Sequence, residues 1–575
     1  MHLTVTVTDA ATSRPLPCRL AFCGEGVPAL WGRDAAGQDL AYSGTPRLWC
    51  DGHWEGDLPD GPVMAVVSRP YEYATRVVPL ESGPDQRLEV ALERRCHLAA
   101  AGWHCGDAHQ HVVHGEALRQ MDLPRAAAVA RAEGMDWVVF DGRFTSVAGA
   151  AEPDPAELDR LCLASSVHGF TALWADEYPK HDLGHLAAFP QSTGRSFADL
   201  AGEGIYRLGP GDRTPYTSFE SVRTLHRHGS LAVYVHPPRE LGGTPERVGN
   251  IARELPLDTL VAPWSVEAVD LLSDRIDDPL CWRMWFGWLN RGLRVGLCAF
   301  NDACYDRAGP GWCEPVARRR TYARLDGPPG AAAIARAVRR GRTFGTTGPL
   351  LLFEVAGHGP GSALPADGLA HKGRLRAWAA PDHGDPALEG RLRRLMVYRN
   401  GEPYQEWALG GPGQGQVDLA FEVAGEGPAW YLARAEGTLE DQLAVTSPVY
   451  VGDGAYRPPA PYPAAVRVAV VDAATGRRLD GQMELVEFAC DRVEVVEARP
   501  ICEGAFAGAV PGDLRLRARV EGYAPQVLSP ILDHPPLYRD LLGPIRAADL
   551  ADPAYYERLR RTLDRVELRF EMVRA

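Results

Sequence analysis

Residues 99 to 349 alternate short apolar runs with segments of helical spacing, and most of the apolar runs end at a polar residue. This alternation predicts strands that are each followed by a helix, which is typical of a parallel α/β arrangement. In a barrel of such units the carboxyl ends of the strands meet around one axis, and the chemistry is found there. We therefore predict an α/β fold with a (β/α) barrel in this part of the chain.

The element boundaries follow from the spacing of the apolar residues. The predicted helices span residues 118–133, 155–168, 219–228, 279–291 and 331–340. The predicted strands span residues 137–140, 170–174, 231–235 and 294–299. Each strand leads to an ionisable residue at or near its end: Asp141, Glu177, His236 and Asp302. We expect these side chains at one edge of the sheet.

A His-x-His pair, His109 and His111, follows an apolar approach over residues 98–101 and a break at Gly106-Asp107. Alternate side chains of an extended strand share a face, so both imidazoles can point at one spot and hold a metal ion. The pattern is short, and two unrelated surface histidines would give the same sequence.

Seven ionisable residues at or after strand ends make up the candidate site: His109, His111, Asp141, Glu177, His185, His236 and Asp302. Imidazole and carboxylate together suit zinc, manganese or iron rather than calcium. Taken singly, each residue also has a structural interpretation, as a solvated loop carboxylate, a strand cap or a buried core histidine. Together they predict one or two divalent metal ions.

Strand-like sequence flanks the α/β region on both sides. Residues 1–98 and 350–455 each predict a β-sandwich, and residues 541–575 predict a helical tail. Residues 466–479 repeat the pattern of residues 5–16. This repeat predicts a second sandwich of the N-terminal type over residues 456–540, which resembles a carboxypeptidase-regulatory-like domain.

The charge and cysteine content narrow the class of protein. A net charge of −14 without a long basic run argues against nucleic acid as a partner. The 12 cysteines form no Cys-x-x-Cys motif, which argues against a thiolate zinc site and indicates reduced thiols. No signal peptide or long apolar stretch is present, so we expect a cytoplasmic protein without membrane association. Homo-oligomerisation is left open.

Residues 99 to about 450 resemble the CehA/McbA-type metallohydrolases of the PHP (polymerase and histidinol phosphatase) superfamily. Five segments carry the resemblance: residues 106–111, residues 177–179 with Gly184-His185, residues 234–237, Asn301-Asp302, and residues 341–349. The resemblance implies a distorted (β/α) barrel with bound metal ions. It also implies a metal-dependent hydrolase of phosphoesters, esters or carbamates.

The resemblance further implies how the ligands divide between two ions. One ion would be held by His109, His111, Glu177 and Asp302. Glu177 would bridge to a second ion, which His185 and His236 would also hold.

The sequence departs from the superfamily pattern at two places. It has Asp141-Gly142 and Asp302-Ala303-Cys304 where the superfamily commonly has histidines that serve a third ion, so a three-metal site is not expected. Cys304 is a further candidate ligand, although a lone buried thiol is more often a packing residue.

The preferred function is hydrolysis by a metal-activated water of a small-molecule ester, carbamate or phosphodiester. Asp141 would orient or deprotonate the water, and Arg320 would neutralise an anionic substrate group, unless it is a surface charge. Without a third ion, a neutral or singly charged substrate is expected to react faster than a phosphomonoester. Aromatic residues near the strand ends are candidates for a substrate pocket or for the core: Trp174, Tyr234, Trp264, Tyr305 and Trp312.

Two other function classes remain open. The chain could be a carbohydrate-binding or partner-binding protein in which the metal site is degenerate. A serine or cysteine hydrolase is the third class, but no Gly-x-Ser-x-Gly motif is present and no cysteine has a recognisable nucleophile context.

Overall fold

The fold is a mixed α/β arrangement in which sheets dominate and helices are few, as seen in a computed structural model of the chain. The structure describes residues 1–24, 48–112, 122–141, 154–181, 184–189, 217–236, 266–272, 279–305, 316–452, 461–489, 492–534, 549 and 552–575. The side chains of residues 178–181, 184, 185 and 280 lie outside this description. None of the helices in the described ranges combines the length and apolar character needed to cross a membrane.

The N-terminal unit consists of two sheets that share one apolar core. Its strands are β1 (His2–Asp9), β2 (Cys18–Gly24), β3 (Leu48–Cys50), β4 (His53–Asp57), β5 (Val63–Ser68), β6 (Arg76–Leu80) and β7 (Asp85–Leu92). The sheet orders are β4-β1-β7 and β3-β2-β5-β6. Leu3, Val5 and Val7 alternate along β1 and are fully buried, so the core lies between the sheets.

The second unit carries the strands and helices of the α/β region. Its strands are β8 (Trp103–His111), β9 (Trp137–Asp141), β10 (Thr171–His181), β11 (Gly184–Phe189), β12 (Leu231–Tyr234), β13 (Ala268–Asp270), β14 (Gly296–Cys298), β15 (Ala303–Cys304), β16 (Arg320–Arg324) and β17 (Thr343–Thr346). Its helices are α1 (Leu123–Ala132), α2 (Pro155–Ser165), α3 (Ser218–Arg227), α4 (Pro279–Asn290) and α5 (Ala331–Arg339), and a 3₁₀ turn covers Ala99–Ala101. Four predicted helices are confirmed, and residues 118–121 of the fifth lie outside the described residues.

Capping side chains fix where the first helices of this unit begin. Asp122 and Asp154 each accept a backbone N–H of the first turn, at 2.9 and 3.0 Å. Thr217 and Glu220 form a reciprocal capping box at the start of α3. These interactions satisfy N–H groups that have no partner within the helix.

The sheet of the second unit is mixed rather than parallel. Its order is β14-β13-β12-β11-β10-β9-β8-β16-β17. β8, β9 and β10 are parallel, and so are β12, β13 and β14, but β11 is antiparallel to both its neighbours. The expected simple alternation is wrong here because the apolar run over residues 186–189 is buried as a returning strand.

Side chains join the two ends of this sheet. The hydroxyl of Thr321 accepts the N–H of Ala299 at 2.8 Å and donates to the carbonyl of Ala299 at 3.1 Å. The hydroxyl of Thr343 donates to the carbonyl of Leu297 at 2.6 Å. Among the described strands the backbone pairs form an open path, so a closed barrel stays a prediction.

The large sheet continues into a third unit. The strands of this unit are β18 (Leu350–Val355), β19 (Ala363–Leu364), β20 (Ala370–Trp378), β21 (Leu392–Arg399), β22 (Glu402–Ala408), β23 (Gln416–Ala424), β24 (Ala429–Gly437), β25 (Leu443–Thr446) and β26 (Val449–Val451). β25 pairs with β17 and leads through β24 and β21 to β22. A separate sheet, β18-β20-β23, shares an apolar core with this extension.

The C-terminal unit repeats the N-terminal unit strand for strand. It contains β27 (Pro463–Asp472), β28 (Gly481–Ala489), β29 (Arg492–Ile501), β30 (Ala505–Pro511), β31 (Arg515–Arg519), β32 (Gln526–Leu528), α6 (Pro553–Leu563) and β33 (Val566–Met572). Its sheets are β30-β27-β33 and β29-β28-β31-β32, the same layout in the same chain order. The predicted helical tail is wrong for residues 566–572, which pair with β27 as the last strand.

The sequence repeat corresponds to one shared turn. Asp9 and Asp472 each accept two backbone N–H bonds from the following residues, at 2.9–3.0 Å. Each also accepts a tyrosine hydroxyl, from Tyr73 at 2.6 Å and from Tyr523 at 2.5 Å. The similarity of residues 5–16 and 466–479 therefore records a common turn as well as a common strand.

Gly106 shows how tightly β8 and β9 pack. A Cβ atom at Gly106 would lie 2.2 Å from the backbone oxygen of Trp137 and 2.2 Å from its indole ring. We expect Gly106→Ala to lower the free energy of unfolding by about 1–3 kcal/mol or more, because the backbone cannot move aside without breaking the pair. Urea denaturation measures the change. Gly410→Ala, where nothing lies within 4 Å, is the control; equal stability of the two variants would contradict the packing argument.

Candidate metal centre

The strand β8 delivers His109 and His111 to the carboxyl edge of the sheet. The pairing of β8 with β9 shifts between Asp107 and Gln110, so the strand carries an irregularity just before the second histidine. The Nε2 atoms of His109 and His111 lie 3.2 Å apart. The two imidazoles therefore face one point, as the His-x-His spacing predicts.

Asp302 completes a group around these nitrogens. Its Oδ1 lies 3.2 Å from Nε2 of His109 and 3.0 Å from Nε2 of His111. Asp302 follows β14 and reaches the site from the far end of the sheet order. The two ends of the sheet thus meet at this cluster.

Glu177 faces all three histidines. Its Oε1 lies 3.1 Å from Nε2 of His236 and 3.5 Å from Nε2 of His109, and its Oε2 lies 3.6 Å from Nε2 of His111. Glu177 is on β10, and His236 follows β12. One oxygen of this carboxylate therefore faces His109 and His236, and the other faces His111.

Asp141 lies behind His111. Its Oδ2 is 3.0 Å from Nδ1 of His111, while Nε2 of the same ring faces Asp302 and Glu177. A carboxylate on the outer nitrogen of a metal-binding histidine fixes the tautomer and the ring orientation. The position of Asp141 therefore supports orientation of His111.

Buried opposite charges stabilise one another in this cluster. Burial alone would lower the pKa of His111, but the carboxylates of Asp141 and Asp302 outweigh it and raise this pKa to about 10. Burial opposes the charged form of Asp302 as well, yet His109 and His111 hold the pKa of this carboxyl well below its usual range. A ligating nitrogen must be deprotonated, so a bound cation would take the place of protons here.

The donor set fits a divalent metal ion. The possible ligand atoms form three groups, and within each group they lie within 4.8 Å of one another. The groups are His109, Glu177 and His236; His109, His111 and Asp302; and His111, Asp141 and Glu177. All six side chains are buried. Nitrogen and oxygen donors that converge in a buried site are the ligands of zinc, manganese and iron rather than calcium.

Two of the candidate ligands sit in strained backbone. His236 has a φ of 36° and Asp302 a φ of 51°, values that residues other than glycine rarely adopt. Such conformations persist where the surrounding structure fixes them, and they concentrate at functional sites.

Asp107 holds the two ends of the cluster together. Its carboxylate accepts the N–H of His109 at 2.8 Å and the N–H of Asn301 at 3.1 Å, as well as the side-chain amides of Asn301 and Gln110. Burial raises the pKa of Asp107 to about 6, although these hydrogen bonds lower it in part. This supporting role of Asp107 was not predicted from the sequence. The feature that could have indicated the role is the position of Asp107 between the two chain segments that carry the ligands.

Asp270 was also missed. It ends β13 at the same edge, and its Oδ1 accepts the N–H of Phe300 at 3.1 Å. Burial raises the pKa of Asp270 to about 7, and its Oδ2 is buried with no hydrogen-bond partner among the described residues. β13 has three residues, which is too short for apolar periodicity to reveal it.

Arg320 lies elsewhere. Its guanidinium donates to the carbonyls of Ala317 and Pro70 at 2.7 and 2.8 Å and lies 3.8 Å from the carboxylate of Glu133. It also stacks over the ring of Tyr71, with 4.5 Å between the guanidinium carbon and the ring centre. This fully buried side chain joins the first two units, so its position does not support the expected contact with a substrate anion.

The remaining candidates fall into three groups. Cys304 pairs in register with His111 and is buried, but it belongs to none of the three ligand groups found among the described residues. His185 lies on β11, and its side chain is outside the described residues. The predicted pocket aromatics Trp174, Tyr234 and Tyr305 are core residues, and Trp264 and Trp312 lie outside the described part of the chain.

Comparisons with known proteins give little beyond this geometry. No family profile matches the sequence, and no curated protein matches it. A solved two-domain protein from Bacteroides vulgatus ATCC 8482, described as containing a predicted PHP-like metal-dependent phosphoesterase, aligns over 61% of this chain and 95% of its own, with 10% identity and a TM-score of 0.30. The pilus 2b backbone protein of group B streptococcus aligns over 39% of this chain and 98% of its own, with 9% identity and a TM-score of 0.12. These values do not establish a shared fold.

Asp107→Asn should weaken metal binding by about 10- to 100-fold, because an amide places a donor where four N–H groups need an acceptor. Titration with manganese or zinc measures the affinity. Asp418→Asn removes an exposed carboxylate that pairs with Arg374 and should leave it unchanged. Wild-type affinity in correctly folded Asp107→Asn protein would show that Asp107 does not position the ligands.

Proposed function

We propose that the protein is a divalent-metal-dependent hydrolase. The observation that carries this proposal is the convergence of three buried histidines and three buried carboxylates from β8, β9 and β10 and from the segments that follow β12 and β14. A bound divalent ion lowers the pKa of its water to about 7 and polarises a carbonyl or phosphoryl oxygen, so no nucleophilic side chain is required. The resemblance to the CehA/McbA-type PHP hydrolases agrees with this chemistry.

The roles of the chain's own residues follow from their contacts. His109, His111 and Asp302 would bind one ion, because their ligand atoms lie within 3.2 Å of one another. Glu177 would bridge to a second ion with His236, and His185 is the further proposed ligand. Zinc, manganese and iron all fit this donor set.

The carboxylates near the ligands would hold or transfer protons. Asp141 would hold His111 in the tautomer that leaves Nε2 free to ligate. We also propose that Asp141 orients or deprotonates the attacking water. Asp270 is a second candidate for proton transfer, because it ends β13 at the same edge of the sheet and its buried Oδ2 has no hydrogen-bond partner among the described residues.

The charge of the site bears on the substrate class. The cluster contains three carboxylates, so two divalent ions, with four positive charges, would leave it with a small positive excess. A doubly charged phosphomonoester gains less from such a site than it would from a site with a third ion. We therefore propose a neutral or singly charged small molecule, such as an ester, a carbamate or a phosphodiester, as the substrate.

Metal content tests the proposal directly. Purified protein reconstituted with zinc or manganese should retain about one to two equivalents by elemental analysis. His109→Ala should retain less metal and lose hydrolysis of 4-nitrophenyl substrates, whereas the matched control His358→Ala, an exposed histidine in a turn, should keep both. Wild-type protein that stays metal-free after reconstitution would refute the proposal.

Initial rates on matched 4-nitrophenyl substrates test the substrate class. The metal-loaded protein should cleave the ester, carbamate or phosphodiester faster than the phosphomonoester. A clear preference for the phosphomonoester would refute the charge argument. Metal-loaded protein that is inert towards all four but binds a glycan or a partner would instead favour a binding protein with a degenerate site.

A further inference from the structure

A cavity of about 380 Å³ lies between the second and third units. Four arginines line it, together with two other polar side chains and three glycines: Arg294, Arg339, Arg340, Arg342, Ser362, Tyr450, Gly296, Gly341 and Gly361. We refer to this cavity as the arginine pocket. It contains none of the candidate metal ligands.

Strand direction places the arginine pocket at the opposite end of the sheet from the metal centre. β8 runs from Trp103 to His111, and across the sheet His104 pairs with Ala323, which pairs with Thr343. Arg342 directly precedes Thr343, and Arg340 lies two residues before Arg342. His109 lies five positions after His104 in the same strand, which corresponds to about 16 Å at the usual rise per residue. The pocket therefore belongs to the amino ends of the strands.

The pocket has an excess of positive charge in a chain whose net charge is −14. Arg339 pairs with Glu267 at 3.2 Å, and Arg342 pairs with Asp326 at 3.3 Å. No carboxylate among the described residues forms an ion pair with Arg340. Arg340 therefore adds a positive charge beside two guanidinium groups that are already paired, and a locally positive site attracts anions.

Capping of α5 does not explain this convergence. Arginines near a helix C-terminus bind the last carbonyls and interact favourably with the helix dipole, which accounts for Arg339 and Arg340. Arg294 precedes β14 and Arg342 precedes β17, so they reach the same cavity from other elements. Arg294 is held by Tyr450, with 4.8 Å between the guanidinium carbon and the ring centre.

Close approach of three backbone segments forms one wall of the pocket. A Cβ atom at Gly361 would lie 1.9 Å from the carbonyl oxygen of Arg340, and one at Gly296 would lie 3.2 Å from the Cα of Gly341. Gly341 and Gly361 also adopt positive φ values of 63° and 79°. Larger residues are therefore disfavoured at this wall, so the cavity stays open between the arginines.

We propose that the arginine pocket binds a small phosphate-bearing anion. Guanidinium groups present a planar fork of donors that matches phosphate oxygens, and Ser362 adds a hydroxyl donor. The cavity volume suits a pyrophosphate or a small phosphate ester. A nucleic-acid chain is disfavoured by the net charge of the protein, which repels an extended polyanion. This proposal is independent of the chemistry at the metal centre.

Calorimetric titration of the full-length protein with inorganic phosphate and with pyrophosphate tests the proposal. Both anions should bind, pyrophosphate more tightly. Arg340→Gln and the double variant Arg340→Gln/Arg342→Gln should weaken binding, the double variant by about tenfold or more. Arg340 is exposed, so the single variant is not expected to disturb folding. Arg336→Gln is the matched control, because Arg336 is exposed on the same helix and does not line the pocket.

A further variant separates the two sites. His109→Ala should bind both anions as the wild type does. Binding that is lost in His109→Ala but retained in the double arginine variant would place the anion on the metal centre and overturn the proposal. Citrate that binds as tightly as pyrophosphate would overturn the assignment to phosphate. The proposal also fails if neither anion binds the wild-type protein.

Discussion

Charge burial is the constraint on which the rest of the structure depends. The six ionisable side chains of the candidate metal centre are each no more than 6% exposed. An isolated buried charge is strongly unfavourable, so each group must meet a partner of opposite charge or a cation. The segments that carry these side chains, which lie in β8, β9 and β10 and after β12 and β14, must therefore meet at one point.

The flanking units help to hold those strand ends in place. Ser447, from the third unit, accepts the N–H of Leu297 at 2.9 Å and lies 2.8 Å from the hydroxyl of Thr343. The buried carboxylate of Glu133 accepts the indole N–H of Trp49 at 2.7 Å. It also lies 3.5 Å from the guanidinium of Arg19, and both of these partners belong to the N-terminal unit. The support of the second unit thus extends into its neighbours on both sides.

Much of the histidine and carboxylate cluster was accessible from the sequence. His109 and His111 share a strand face at a spacing of two, and Glu177, His236 and Asp302 follow apolar runs that end at one edge of the sheet. Those cues are local and depend on strand periodicity. They predict which residues meet, but they do not determine distances or which oxygen of Glu177 faces which histidine.

The errors have equally specific causes. Arg320 is the first residue of a strand, and the alternation of side chains along that strand turns its guanidinium towards Pro70 and Glu133. A shift of the strand by one residue would turn the same side chain to the opposite face of the sheet. The reversal at β11 depends on a tertiary pairing with β12 that local spacing does not encode. β33 alternates buried and exposed residues from Val566 to Met572, so its strand character was visible, but the preceding helical pattern masked it.

Anomalous diffraction from crystals soaked in zinc or manganese tests the central claim most directly. We predict a peak about 2.0–2.3 Å from Nε2 of His109, Nε2 of His111 and a carboxylate oxygen of Asp302, the distances that such ions adopt with nitrogen and oxygen donors. A second peak between Glu177 and His236 is expected if the site holds two ions. A fully soaked crystal with no anomalous peak among these side chains would contradict the assignment of this cluster as a metal centre.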